Sequence, residues 1–203
     1  MKLYLAPGAC SLSPHIILRE AGLDFAIERV DLRTKTTAGG ADYTRINPKG
    51  YVPALALKDG SVLTEVSAVV QFVADLVPEK QLVPLAGSME RYRTMEWLNF
   101  ISSELHKNFG PLFNRAASEE ARSTAMANLG RRLGYLEQAM DGRTYLVGEK
   151  FGVADAYLFT VLNFSGFTGF DLSPWPRLLE YHASIAQRPA VKEAMRAEGI
   201  SNE

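Results

Sequence analysis

The chain's one cysteine, Cys10, lies in the stretch PGACSLSPH, between an apolar run that patterns as a strand and one that patterns as a helix. A thiol at such a junction faces the unpaired N–H groups and the positive dipole of a helix start, which favour thiolate over thiol. On that ground Cys10 is expected to be partly ionised near neutral pH. The plainer role of a lone cysteine is a small buried apolar residue, and position alone does not choose between the two.

Three further places have residue types that can do chemistry. Val52-Pro53 puts a proline at the head of a strand, where it cannot donate to a ladder. A cis bond there, favoured over the commoner trans because Cys10 would lie across from it, leaves the backbone of Val52 free to pair with a bound peptide. Glu65 opens a helix directly after a strand in LTEVSAVV. Its carboxylate can hold an ammonium while the N–H groups of Val66 and Ser67 suit a carboxylate, a pairing that fits an amino-acid-like group. The alternative is a Glu65 that only complements the helix dipole. In WLNFISSELHKNF, a regular helix would set Asn99, Ser103 and His106 within about 60° of one another. Leu98, Ile101, Leu105 and Phe109 would cover the adjoining apolar face. An imidazole on the polar stripe is a natural proton partner for a thiol. His15 reads as a packing or surface residue, His182 as a surface residue, and Lys35 and Lys107 as solvated lysines. Trp97, Trp175, Phe164, Phe167 and Phe170 read as core that can wall an apolar pocket.

The elements that position these residues follow from pattern. Met1 to Leu5 and Phe25 to Leu32 alternate as strands, with Phe25, Ile27 and Val30 inward. Ser11 to Ala21, closed by Gly22, crosses between them and makes the strands parallel. The loop from Thr34 to Asp42 reads as mobile. Ala54 to Leu57 and Ser61 to Leu63 flank an Asp59-Gly60 turn, and Glu65 to Leu76 is a helix stopped before Pro78. From Gly87 onward the patterns are helical, at 88–109, 118–140, 153–168, 175–187 and 190–198. Leu129, Leu133, Leu136 and Met140 form one stripe. The fold class is α/β plus all-α, with a thioredoxin-like domain over 1–78, a linker at 79–87 and a helical bundle domain over 88–203.

Lys and Arg number 22 against 23 Asp and Glu, a net charge of −1. With no basic stripe, no nucleic-acid partner is expected. No apolar run is long enough for a membrane span, and a single cysteine points to a reducing, cytoplasmic setting. Three histidines and one cysteine scatter too widely for a zinc site, so no metal is expected.

Through KLYLAPGACSLSPHIILREAGLDF, NPKGYVPAL, LTEVSAVVQFVAD, WLNFISSELHKNF and FGVADAYLF, the chain resembles the bacterial beta-class glutathione S-transferases over nearly its whole length. The resemblance implies detoxification by conjugation of glutathione, as co-substrate, to a small hydrophobic electrophile, on a homodimer with one glutathione site per subunit. It implies Cys10 as the thiol facing glutathione, with His106 beside it in the catalytic role. Lys35 is implied at the glycyl carboxylate, Val52 at the cysteinyl backbone, and Glu65 with Val66 at the γ-glutamyl group. Asn99, Ser103, Glu104, Leu105, His106 and Lys107 are implied to border the site, with Glu104 serving either its own subunit or the neighbouring one. Two positions depart from the family pattern. Leu5 stands where relatives often carry tyrosine, and Gly152 replaces the Ser or Thr of a capping box with Asp155. Rival activities on this fold are glutathione-dependent disulfide exchange or reductive dehalogenation through Cys10, or binding of hydrophobic compounds without catalysis.

Overall fold

In the computed structural model, which describes residues 1–200, strand β1 (Lys2–Leu5) buries Leu3 and Leu5 on one face and Tyr4 on the other. Burial on both faces suits a central strand. The sheet order is β3-β2-β1-β4-β5, which puts β1 in the middle. Helix α1 (Leu12–Ala21) crosses to β2 (Ala26–Asp31), which runs parallel to β1 with Lys2 opposite Ala26, as the sequence predicts. Gly22 ends α1 at φ +68°, a conformation that penalises any residue with a Cβ.

Within β2 only Val30 is buried, while Ile27 is 38% exposed and Phe25 half-buried, against the expected inward set. The outer neighbour β3 (Thr36–Thr37) is two residues long and pairs only with Val30 and Asp31, so the start of β2 has no strand beside it on that side. The loop expected to be mobile is tied down. Lys35 N–H donates to Asp31 at 2.8 Å, Ala38 N–H to Arg29 at 2.8 Å and Tyr43 N–H to Lys35 at 2.8 Å. Strands β4 (Ala54–Ala56) and β5 (Val62–Thr64) form the expected antiparallel hairpin, with Asp59 accepting from Ser61 in the turn. Helix α2 (Val66–Asp75) buries Val66, Val69, Val70 and Val73 and packs against α1.

The chain divides into two units, one of Met1–Val83 with the segment from Arg188, the other of Pro84–Gln187. Assigning 88–203 to one helical domain therefore needs correction at its end. Helix α9 (Pro189–Glu198) packs on α1, burying Val191 and Ala194, and Arg188 grips Glu20 through two bonds of 2.7 and 3.0 Å. A helix that follows other helices in sequence gives no local sign that its partner lies about 170 residues earlier.

In the second unit the bundle consists of α3 (Met89–Phe100), a π-helical stretch (Ile101–His106), α4 (Lys107–Phe113), α5 (Glu119–Ala139), α6 (Val153–Leu162), α7 (Phe164–Thr168) and α8 (Pro176–Ala186). Leu98, Ile101, Leu105 and Phe109 are buried, as are Leu129, Leu133, Leu136 and Met140, matching both expected stripes. Ser88 and Ser118 accept from Arg91 and Ala121 N–H and so cap α3 and α5. Helix α6 is buried along its whole length. Asp155 accepts from Gly152 N–H at 2.9 Å, but glycine has no side chain to return a bond, so half of the capping box is present. The same carboxylate also takes Leu146 N–H and the Tyr181 hydroxyl, both inside the bundle. The expected helix over 153–168 breaks at Asn163. No helix among the described residues is long and apolar enough to cross a membrane.

Candidate active site

The loop between β1 and α1 is held from two sides. Ser11 Oγ accepts from Ala6 N–H at 3.2 Å, and Gly8, at φ +70°, gives its N–H to Glu198 Oε2 at 3.0 Å. Glu198 is buried on α9, and its other oxygen meets His15 Nδ1 at 2.8 Å. Arg19 Nε–H, which can only donate, reaches His15 Nε2 at 3.0 Å, so Nδ1 carries the proton shared with Glu198. His15 also packs edge-on to Phe25. It is a buried strut, in line with the packing role read from sequence.

Cys10 follows this loop and donates from Sγ to the Val52 carbonyl at 3.2 Å. The Val52-Pro53 bond is cis, as the sequence reading favoured. The N–H groups of Cys10 and Ser11 do favour the thiolate, as expected at a helix start, but burial opposes them more strongly. The carboxylates of Glu65 and Glu198 add to the opposition, and the thiol is pushed up to about 12. Cys10 is thus a protonated donor at neutral pH, which corrects the expectation of a partly ionised thiol.

Glu65, at φ +69°, is the N-cap of α2, yet its side chain caps nothing. Its Oε1 instead accepts from Lys49 Nζ at 2.5 Å and from the Tyr51 hydroxyl at 2.7 Å, which hold the carboxyl below its ordinary range. The side chain therefore makes no capping hydrogen bond, while its charge still lies at the start of α2. The N–H groups of Val66 and Ser67 open α2 ahead of its first internal bonds. Lys35 takes φ +58° and donates to the Gly50 carbonyl at 2.7 Å, so one of its three N–H donors supports the segment leading to Val52. The Tyr51 carbonyl, next along, accepts from the Tyr43 hydroxyl at 3.0 Å and from Asn47 at 2.7 Å. Leu5 is fully buried in the sheet, where it fills core. The first unit thus brings together Cys10, Val52, Lys35, Glu65 and Val66 on one hydrogen-bonded framework.

In the second unit the expected common face of Asn99, Ser103 and His106 is not preserved. Wider i→i+5 bonding across Ile101–His106 replaces the regular turn on which that face was drawn. Asn99 and Ser103 are exposed, and Ser103 Oγ donates back to the Asn99 carbonyl at 3.0 Å. His106 turns inward instead. Its Nδ1 lies 2.8 Å from the Tyr157 hydroxyl, and its ring packs against Phe164, with centroids 5.3 Å apart. Burial holds the imidazole below its ordinary pKa and hence neutral at pH 7. Phe109 and Phe113 meet the same Phe164 edge-on, while Phe167 is exposed rather than core. Leu105 is wholly buried in the bundle core. Glu104 accepts from Arg132 Nε at 2.6 Å within its own unit, and Lys107 is exposed. His182, read as a surface residue, instead stacks on Phe159 and bonds Asn163 Oδ1 at 2.6 Å, which corrects that reading to a packed one.

Four residues, three in the first unit and Tyr157 in the second, escaped sequence reasoning. Lys49 and Tyr51 sit inside NPKGYVPAL, two and four places along from Asn47, and only their shared partner Glu65 carried a signal. Tyr157 and Glu198 reach their partners across 51 and 183 residues, beyond any local pattern.

Residues 8–76 match the family model of the glutathione S-transferase N-terminal domain, and 100–189 that of the C-terminal domain. The glutathione S-transferase GstA of Escherichia coli O157:H7 is 46% identical, with 98% of this chain and all of that protein aligned. A sphingomonad glutathione S-transferase structure complexed with glutathione is 45% identical at a TM-score of 0.95, covering 99% of this chain and all of the other. A bacterial beta-class glutathione S-transferase from Sphingomonas chungbukensis is 44% identical at a TM-score of 0.96, with the same coverage. The chain belongs to the glutathione S-transferase family, and within it to the bacterial beta class.

Proposed function

We propose that the protein joins the sulfur of glutathione to small apolar electrophiles, acting as a homodimer in the reducing cytoplasm. The observation that carries this reading is the state of Cys10, a desolvated thiol that donates to Val52 rather than a thiolate ready to attack. Such a group suits donation toward a bound sulfur, so the nucleophile is the thiolate of glutathione itself. In substitution, the glutathione sulfur forms a bond to carbon and the leaving group departs with its electron pair. In addition, carbon takes up a proton from solvent.

Glu65 supplies a carboxylate for the ligand's ammonium, and the start of α2 at Val66 supplies N–H donors for its carboxylate. Lys49 and Tyr51 keep Glu65 ionised meanwhile, because both donate to the charged form. Lys35 and the backbone of Val52 complete the peptide-binding side. His106, neutral and seated among aromatic rings, acts on the sulfur as a proton acceptor or as a hydrogen-bond donor. The exposed Phe113 and Phe167 offer apolar surface for the electrophile.

Turnover of a chlorodinitrobenzene-type substrate separates this reading from a non-catalytic binder. Disulfide reduction that depends on Cys10, in a protein that fails to turn over that substrate, would move the reading to thiol-disulfide exchange. His106→Ala is expected to lower kcat more than it raises the KM for glutathione. A loss of roughly 10² or more marks an acid-base group, and a smaller one a hydrogen bond to the thiolate.

A further inference from the structure

The pairing of His106 with Tyr157 goes beyond placing an imidazole in the bundle, because it decides which ring nitrogen is available. Tyr157 lies on α6, the helix buried along its whole length, and is itself 2% exposed. Its hydroxyl is 2.8 Å from His106 Nδ1, and the two rings meet at 89° with centroids 6.0 Å apart. Phe164 closes another side of the imidazole. The ring is therefore gripped at its Nδ1 edge. Among the described residues no protein group bonds Nε2 and it is not a fully buried atom, so it is open to solvent or ligand.

Either partner could supply the shared proton. A phenol is a far stronger acid than a neutral imidazole N–H, and an imidazole nitrogen is a far better acceptor than a phenol oxygen. Between a neutral ring and a tyrosine, the O–H therefore donates to Nδ1. The ring's own proton must then sit on Nε2, because a neutral imidazole carries one N–H.

We propose that Tyr157 is a positioning residue that locks His106 in the Nε2–H tautomer, so that His106 serves the reaction as a hydrogen-bond donor to sulfur and not as a base. This deepens the reading of His106 given above and rests on it. The glutathione thiol then loses its proton to water, and the Nε2–H remains in place while it stabilises the resulting thiolate. The same lock orients the ring, since rotation about its axis would break the Tyr157 bond.

The test is ¹⁵N NMR of the histidine ring nitrogens in the full-length protein at neutral pH, with the His106 signals assigned by their loss in His106→Ala. The wild type is expected to show a pyridine-type Nδ1 and a pyrrole-type Nε2. Tyr157→Phe keeps the ring that packs α6 and removes only the hydroxyl, and it is expected to show a mixture of the two tautomers. Its kcat is expected to fall by about 2- to 10-fold, the range of one net hydrogen bond, with the KM for glutathione unchanged. A wild-type spectrum with the proton on Nδ1 overturns the proposal whether or not the variant folds. So does a Tyr157→Phe protein with the same single tautomer and the same kcat as wild type. The reading of His106 stands or falls separately, on the kinetics of His106→Ala.

Discussion

Helix α1 is buried without a break from Leu12 to Leu18, whereas the helical run that bears His106 leaves Asn99, Ser102, Ser103 and Lys107 in solvent and buries one side. Each carries or follows a reactive group, and each solves the polar problem differently. In α1, burying a histidine means that its nitrogens need partners from elsewhere, and these come from Arg19 and from Glu198 on α9. Around His106 the surroundings are aromatic and a single hydroxyl satisfies the inner nitrogen. The first arrangement is a closed network in which every member is needed, and the second is one bond inside an apolar wall. Damage to the first should appear as lost stability. Damage to the second should appear as altered chemistry in a protein that still folds.

The largest expected effect lies in the closed network. Glu198→Ala strands the Gly8 N–H and the His15 Nδ1–H in the interior, and each buried donor left unsatisfied costs about 1–3 kcal/mol. Urea unfolding of Glu198→Ala and His106→Ala side by side checks the contrast. Equal losses in the two would erase it.

Next comes the reactivity of Cys10. With the thiol pushed up to about 12, its ionised fraction should grow tenfold with each pH unit through the neutral range. The rate of mixed-disulfide formation with oxidised glutathione should therefore rise about a hundredfold from pH 7 to 9 without levelling. Intact mass should show one glutathione on the wild type and none on Cys10→Ala. A plateau near pH 7 would mean that the helix start outweighs burial after all.

Glu65→Gln keeps shape and removes charge. Loss of a charge-assisted hydrogen bond, worth about 1.5–3 kcal/mol, should weaken glutathione binding by roughly ten- to a hundredfold in calorimetry. Its exposed pairing with Lys49 should contribute little to the melting temperature of the free protein.

The smallest effect is in acid. Burial lowers the pKa of both His106 and His182, so the unfolded chain binds protons that the folded one refuses. Their contribution is present above about pH 6.5, the unfolded value, and is lost as pH falls through the lower folded values. Denaturation midpoints measured from pH 7 to 5 should fall, and His182→Phe should flatten part of that slope.

The βαβ unit, the hairpin and the two apolar stripes were legible in sequence because each rests on local periodicity or on a turn signal. Cys10 and Glu65 were legible as candidates because both stand at helix starts. The state of Cys10 was not, since the helix start is visible in sequence while the desolvation that outweighs it is made by the assembled fold. The face drawn through Asn99, Ser103 and His106 failed because it assumed regular bonding. No residue in ISSELH announces the wider turn. Glu198 was invisible for a different reason, because a lone glutamate near a helix end reads as solvated until its distant partners are known.

That glutamate has a consequence for the order in which the protein can be completed during synthesis. Gly8 and Glu198 are 190 residues apart, and translation covers such a distance in about 10–40 s. The cysteine loop therefore waits for a segment made 190 residues later before it is pinned. Until then, His15 and the thiol beside it belong to an unfinished unit that solvent and oxidants can enter.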